Sequence, residues 1–325
     1  MDIRLLDPHD DTAVAAAADL LTTSEAVDAP WQHPTTPERL RGVLLHGFDL
    51  EKPTPFLGYD GARPVVFGAL HLSEWDNRDL GWVEVQVHPS YRGQGHGAAM
   101  LRHLEKVGTE AGRHSFGTDA WDDSLGVPFV ERHGYERRSA DILRRQHLAE
   151  LDRSVLDGLH SEAAEAARDY ELLRVSSVPE PLLAGFAELA ASINDAPLDD
   201  LQIEDEVYVP QRVRDYEEAT RRRGMTLYRV LARHRENGEL AAHTAVAVDR
   251  VQPDIAYQHD TAVARPHRGH RLGLLVKAEL LRWLLEDEPQ VQTVDTWNAE
   301  SNRHMIAVNE ALGYRWTARE LAFQK

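Results

Sequence analysis

The chain contains no cysteine. Disulfides, thiolate zinc sites, iron–sulfur clusters and a cysteine nucleophile are therefore excluded. Lysine is scarce, occurring only as Lys52, Lys106, Lys277 and Lys325, so arginine supplies most of the 36 basic residues. Long apolar runs are missing as well; no segment approaches the ~18 apolar residues that a bilayer span needs. The start, Met1 to Pro8, reads as a short strand and a turn. It lacks the basic start and apolar run of a signal peptide, so a cytoplasmic location is expected. Positive charge is short overall: 54 acidic residues give a net charge of −18. A nucleic acid or an anionic membrane is disfavoured as main partner, because phosphate binding needs a basic footprint. A small cationic partner is favoured by the same balance.

What is present suffices for two domains. The chain has 325 residues, 42% of them hydrophobic, against a typical ~150 residues per domain. An internal repeat supports this count. Val87-His-Pro-Ser-Tyr-Arg92-Gly93-Gln94-Gly95-His96-Gly97 returns as Val263-Ala-Arg-Pro-His-Arg268-Gly269-His270-Arg271-Leu272-Gly273, with the Arg-Gly pairs 176 residues apart. Downstream, Gly134-Tyr135 and Gly313-Tyr314 are 179 apart. A near-constant offset implies duplication, with one domain at 1–145, a helical linker at 146–169 and a second domain at 170–325. The linker pattern predicts a helix over 148–167 interrupted near Gly158. Each half then reads as helices, antiparallel strands, and strand–loop–helix–strand–helix. Val83, Val85 and Val87 alternate with polar neighbours at period two, whereas Met100, Leu101, Leu104 and Val107 share a helix face.

A glycine-rich turn between strand and helix suits a phosphate, because glycine permits close approach and the first helical amides point at the anion. A tight turn without ligand is the simpler reading of one such loop, but less so of two in equivalent places. Gly93-x-Gly95-x-x-Ala98 matches a dinucleotide fingerprint only formally: it lies far from the first strand and the second copy has no counterpart. No Gly-Lys-Ser/Thr is present, which excludes a P-loop. The Val-x-Pro lead-in with Arg-Gly-x-Gly-x-Gly, and the later Asn302-x-x-Met305-x-x-x-Asn309-x-x-x-Gly313-Tyr314, resemble the GNAT superfamily of N-acyltransferases twice over.

The resemblance implies two tandem GNAT-like acyl-CoA domains of mixed α/β sheet, splayed to admit a pantetheine arm. It implies acetyl-CoA as co-substrate. The loops, Val87, Arg92, Gly93, Gln94, Gly95, His96 and Gly97 in one half and Val263, Arg268, Gly269, His270, Arg271, Leu272 and Gly273 in the other, would hold it, with Asn302 touching the CoA arm. Glu84 and Asp260, also 176 apart, lie on the strand before each loop. A protonated amine must lose a proton before it attacks, so either carboxylate is a candidate base; a solvent-facing carboxylate is the bland alternative. The family often carries a tyrosine that protonates the leaving thiolate, but here Val130 and Asn309 occupy those positions. Tyr135 and Tyr314 are expected in the cores.

Candidate acceptor residues are Trp31 in a loop of the first half, and Asn194, Asp195 and Glu204 in an acidic stretch of the second; ordinary packing and a solvated charge run are their alternatives. Seventeen histidines show no helical pair backed by a third ligand, so no metal is expected. The reading is an acyl-CoA-dependent N-acyltransferase acting on a small amine, cationic in the charge argument, as monomer or homodimer, with the second half favoured as the working one. The alternative is a non-catalytic acyl-CoA-binding or sensing protein.

Overall fold

The computed structural model describes residues 1–325. It forms two compact units that interleave along the chain. The first holds Met1–Asp141, Leu198–Asp205 and Ala318–Lys325; the second holds Ile142–Pro197 and Glu206–Thr317. They do not follow the sequential division at 145 and 170, because the end of the last strand serves the first unit and residues 142–147 serve the second.

The first unit contains β1 (Asp2–Leu5), α1 (Asp11–Asp28), α2 (Pro37–His46), β2 (Thr54–Asp60), β3 (Arg63–Leu72), β4 (Leu80–Val87), α3 (His96–Glu110), β5 (Ser115–Trp121), α4 (Gly126–Arg132) and the start of β6 (Glu136–His147). α1 begins where Asp10 caps the Thr12 and Ala13 amides; α2 begins with Pro37 after a Thr36 cap. β1 to β4 form an antiparallel meander, and β4 turns parallel to β5 through α3. Period-two alternation divides the sheet between two cores. Phe67 and Ala69 face α1 and α2 with Val14, Leu20 and Leu40, whereas Val66 and Leu70 face α3 with Met100, Leu101 and Leu104.

The second unit repeats the order after a linker helix: α5 (Arg153–Ala166), β7 (Tyr170–Val175), α6 (Leu183–Ala190), α7 (Pro210–Arg222), β8 (Met225–His234), β9 (Leu240–Asp249), β10 (Ile255–Val263), α8 (Leu272–Asp287), β11 (Thr293–Ala299), α9 (Arg303–Ala311) and β12 (Arg315–Gln324). α5 starts at an Asp152 cap and runs through Gly158 without the expected break. A single glycine costs a helix only about 1 kcal/mol, which packing of Leu156 and Ala163 outweighs.

Asp295 on β11 is fully buried and accepts two hydrogen bonds from Arg145 on β6, at 2.6 and 2.7 Å. A buried charge that loses its partner cannot regain water. Arg145→Ala should lower the unfolding free energy by about 3–5 kcal/mol, read as a drop in urea midpoint at constant m-value.

Candidate functional site

In each unit the two central parallel strands pair only briefly and then diverge. β4 meets β5 at Leu80–Trp82 against Ser115–Gly117, and β10 meets β11 at Ile255–Tyr257 against Thr293–Asp295. Beyond those pairs the facing backbone groups of β4 and β10 lack ladder partners, so each unit has a cleft lined by unused amides.

At the far end of each strand lies the glycine loop. α3 and α8 both start without a side-chain cap, leaving first-turn amides unclaimed by the helix. Nothing lies within 4 Å of the position a side chain would occupy on Gly93, Gly95 or Gly269, so the loop backbone is open to close approach. Gly95 has φ 86° and Arg271, its counterpart, adopts φ 57°. Arg271 thus takes the left-handed turn that glycine takes in the first unit, at a cost of about 1–2 kcal/mol, and pairs with Glu162. Leu272 is buried, so only its backbone can serve the loop. Gln94 bonds locally to the Ser90 carbonyl, His270 approaches the His267 carbonyl, and His96 lies against Met1.

The two loop arginines differ in access. Arg92 is clamped by Asp28 at 2.5 and 2.9 Å and by Ser24, with its side chain 19% exposed. Arg268 reaches Asp195 but keeps 47% exposure. Both also donate to the carbonyl of the matched valine, Val87 or Val263.

Residues 54–137 match the Acetyltransferase (GNAT) domain, and residues 192–314 match the Acetyltransferase (GNAT) family. The chain belongs to the GNAT acetyltransferase family. Over its whole length it superposes with a TM-score of 0.82 on a tandem GNAT protein from the clavulanic acid biosynthesis pathway, at 25% identity and 98% coverage of that chain. A GCN5-related N-acetyltransferase from Sphaerobacter thermophilus superposes at 0.72 and 15% identity, over 100% of this chain and 95% of that one. Two proteins named mycothiol acetyltransferase are similar in part. The one from Stackebrandtia nassauensis is 32% identical over 34% of this chain and 36% of its own length, and the one from Rothia mucilaginosa 30% over 39% and 40%. The chain thus matches well under half of those two relatives.

The two GNAT units diverge at their acid-bearing strands. β4 pairs with β3 in unbroken register from Gly81 to Val87. β10 shifts by one residue against β9 between Gln258 and Thr261, a bulge that takes His259 and Asp260 out of the ladder. Sequence chemistry holds the bulge: the Gln258 amide donates to Thr244 Oγ1, Ala245 O and His259 O, and Thr244 bonds Thr261 at 2.7 Å. Asp260 sits beside Tyr208, Arg229 and Arg212; burial raises its pKa while the arginines and the tyrosine oppose the rise. The Tyr208 hydroxyl donates to Glu206 at 2.9 Å, and burial together with both carboxylates holds its pKa far above the normal value. Glu84 is half-exposed, and its ion-pair neighbour is His71, at 3.9 Å.

Several expected site residues have other employment. Asn302 accepts from the Met305 amide and caps α9. Asn194 is pinned to the Glu206 backbone through both ends of its amide. Asp195 binds Arg265 and Arg268, which holds it well below the usual carboxylate range, at about 2. Glu204 does not share a pocket with them: it exchanges hydrogen bonds with Asn77 inside the first unit. The expected acidic acceptor stretch is therefore divided, because residues 198–205 pack in one unit and their neighbours in the other. Trp31 stands edge-on to Trp121, 5.4 Å between ring centres. Tyr135 and Tyr314 lie in the cores, and Asn309 is buried against Asn298 at 2.6 Å.

The sequence reading missed Tyr208, Arg229 and Gln258 in the second unit and Asp119, Asp141 and Glu320 in the first. Gln258 stood on the strand as an unremarkable polar residue. Only the broken alternation after it marked the bulge.

Burial, aided by Arg229 and Arg223, pushes His259 down to about 3; burial and Arg229 do the same to His243, whose ring nitrogens have no partner. Their unfolded pKa is near 6.5, so unfolding takes up protons below that value and folded stability falls with pH. Each histidine should cost about 1–2 kcal/mol between pH 7 and pH 5. Imidazole NMR signals of both should show no titration from pH 8 to 5; a midpoint near 6.5 would contradict the assignment.

Proposed function

We propose that this GNAT protein is an acetyl-CoA-dependent N-acetyltransferase acting on a small-molecule amine, with transfer carried out by the carboxyl-terminal unit. The bulge at His259–Asp260 carries the proposal. It frees strand backbone beside a shielded carboxylate at the mouth of the β10–β11 cleft, and β4 has no equivalent.

Acetyl-CoA supplies a thioester carbonyl carbon open to attack by a neutral amine. The pyrophosphate fits Arg268 and the amides from Gly269 to Gly273, where the helix start is uncapped and the space beside Gly269 is open. The pantetheine amides fit the unpaired backbone of β10 beyond Tyr257, and donors there can also steady developing oxyanion charge. Asp260 accepts the proton that the amine nitrogen releases. Its raised pKa brings it nearer to neutral pH, where a base gains a proton from an ammonium group at least cost. Tyr208 positions that carboxylate. The Tyr208 proton is committed to Glu206, so the leaving sulfur draws its proton from solvent.

The family match and the names of the partial relatives support an acetyl group and an amine acceptor. In this reading the amino-terminal unit does not transfer. Its loop arginine is clamped by Asp28 and Ser24 with less solvent access than Arg268, and its β4 has no bulge.

An amine library assayed with the full chain and acetyl-CoA tests the reading. Asp260→Asn should reduce kcat by about 10²- to 10⁴-fold with acetyl-CoA affinity unchanged, and Arg268→Glu should weaken that affinity at least tenfold. Turnover that survives Asp260→Asn, or is lost only in Glu84→Gln, would overturn it.

A further inference from the structure

The cleft of the amino-terminal unit has a chemistry of its own. Register brings carboxylates from adjacent strands onto one face. Trp82 is the last residue of β4 paired with β5, opposite Gly117, so Glu84 of β4 and Asp119 of β5 face each other across the opening where the strands diverge; Glu320 of β12 lies directly opposite Trp121, and Ala322 opposite Asp119. Asp141 on β6 is close enough to raise the pKa of both Asp119 and Glu320. This is the face covered by α1, since Ser24 bonds to Gln86 and Glu25 is raised in part by Glu84.

None of Asp119, Asp141 and Glu320 is ion-paired to an arginine or lysine. The Asp119 carboxylate accepts one hydrogen bond, from the Trp82 indole at 2.7 Å, and the Glu320 carboxylate accepts none. Crowding in the cleft and the acidic neighbours raise the pKa of both Glu320 and Asp119 above the usual carboxylate range. Two observations beyond the acids point to a ligand-binding role. Ser139, on the same face of β6 as Asp141, is 6% exposed and its hydroxyl has no partner. The buried indole nitrogen of Trp31, whose ring abuts Trp121, is likewise unpartnered.

The shape of the charge selects the ligand. No three acidic or histidine side chains converge closely enough to hold a metal ion. The carboxylates instead form a row across four neighbouring strands, β4, β5, β12 and β6, which at about 4.8 Å per strand spans about 14 Å or more. A linear cation with separated charges matches a row; a point cation does not. Trp31, Trp82 and Trp121 add aromatic surface suited to ammonium groups and methylene spacers.

We propose that this cleft is a binding site for an aliphatic oligoamine, whose ammonium groups pair with Glu84, Asp119, Glu320 and Asp141 and whose methylenes lie on the tryptophans. The inference rests on this unit alone and not on the transfer reading. Its assay therefore contains no acetyl-CoA.

Spermidine is the probe, followed by calorimetry and tryptophan fluorescence at fixed ionic strength. The wild type should bind it saturably, Glu320→Gln with Asp141→Asn should weaken binding at least tenfold, and Asp260→Asn should leave it unchanged. The double variant should remain folded with a raised Tm, because it removes like-charge repulsion. Absence of saturation up to about 10 mM, equal competition by magnesium at matched ionic strength, or unchanged affinity in the folded double variant would overturn the proposal.

Discussion

The organisation of both units depends on two parallel strands that stop pairing after three residues. A continuous sheet would satisfy its own amides and leave no room for a ligand. Here Trp82 is the last residue of β4 paired with β5, and Tyr257 the last of β10 paired with β11. Everything chemical lies just past those points: the acids, the unpaired backbone, and the loop that starts the next helix. The fold tolerates the opening because helices cover both faces and the strand ends remain anchored, in the second unit by the buried Arg145–Asp295 pair.

From this shared opening the duplicated units have diverged. In the second, a bulge held by Gln258 turns Asp260 into a region of arginines and tyrosines, which shield and orient its carboxylate. In the first, the strand runs in register and the face collects carboxylates with no arginine or lysine paired to Asp119, Asp141 or Glu320. Uncompensated charge lowers stability, and its concentration beside three tryptophans argues for a ligand role. The loop arginines follow the same division: Arg92 is clamped by Asp28, while Arg268 keeps more solvent access.

Much of this was legible in the sequence because it is local. Period-two valines marked β4, apolar spacing marked α3, and the repeated Arg-Gly loop marked both helix starts. The rest depended on long-range pairing. β12 lies beside β5 although some 200 residues separate them, so nothing near Glu320 announced Asp119 as a neighbour. The acidic stretch around 194–206 looked like one pocket, but its middle packs on Asn77 and Arg138 of the first unit. Asn302 matched a family position, yet its side chain is used as a helix cap. Composition and spacing report which groups exist; they do not report which hydrogen bonds have already claimed them.

Backbone hydrogen exchange with and without acetyl-CoA, read separately over the two glycine loops, tests the central claim most directly. The account predicts slowed exchange at the amides of residues 268–275 and along β10 beyond Tyr257, because those groups take the pyrophosphate and the pantetheine arm. Slowing confined to residues 92–99, or at neither loop, would contradict it.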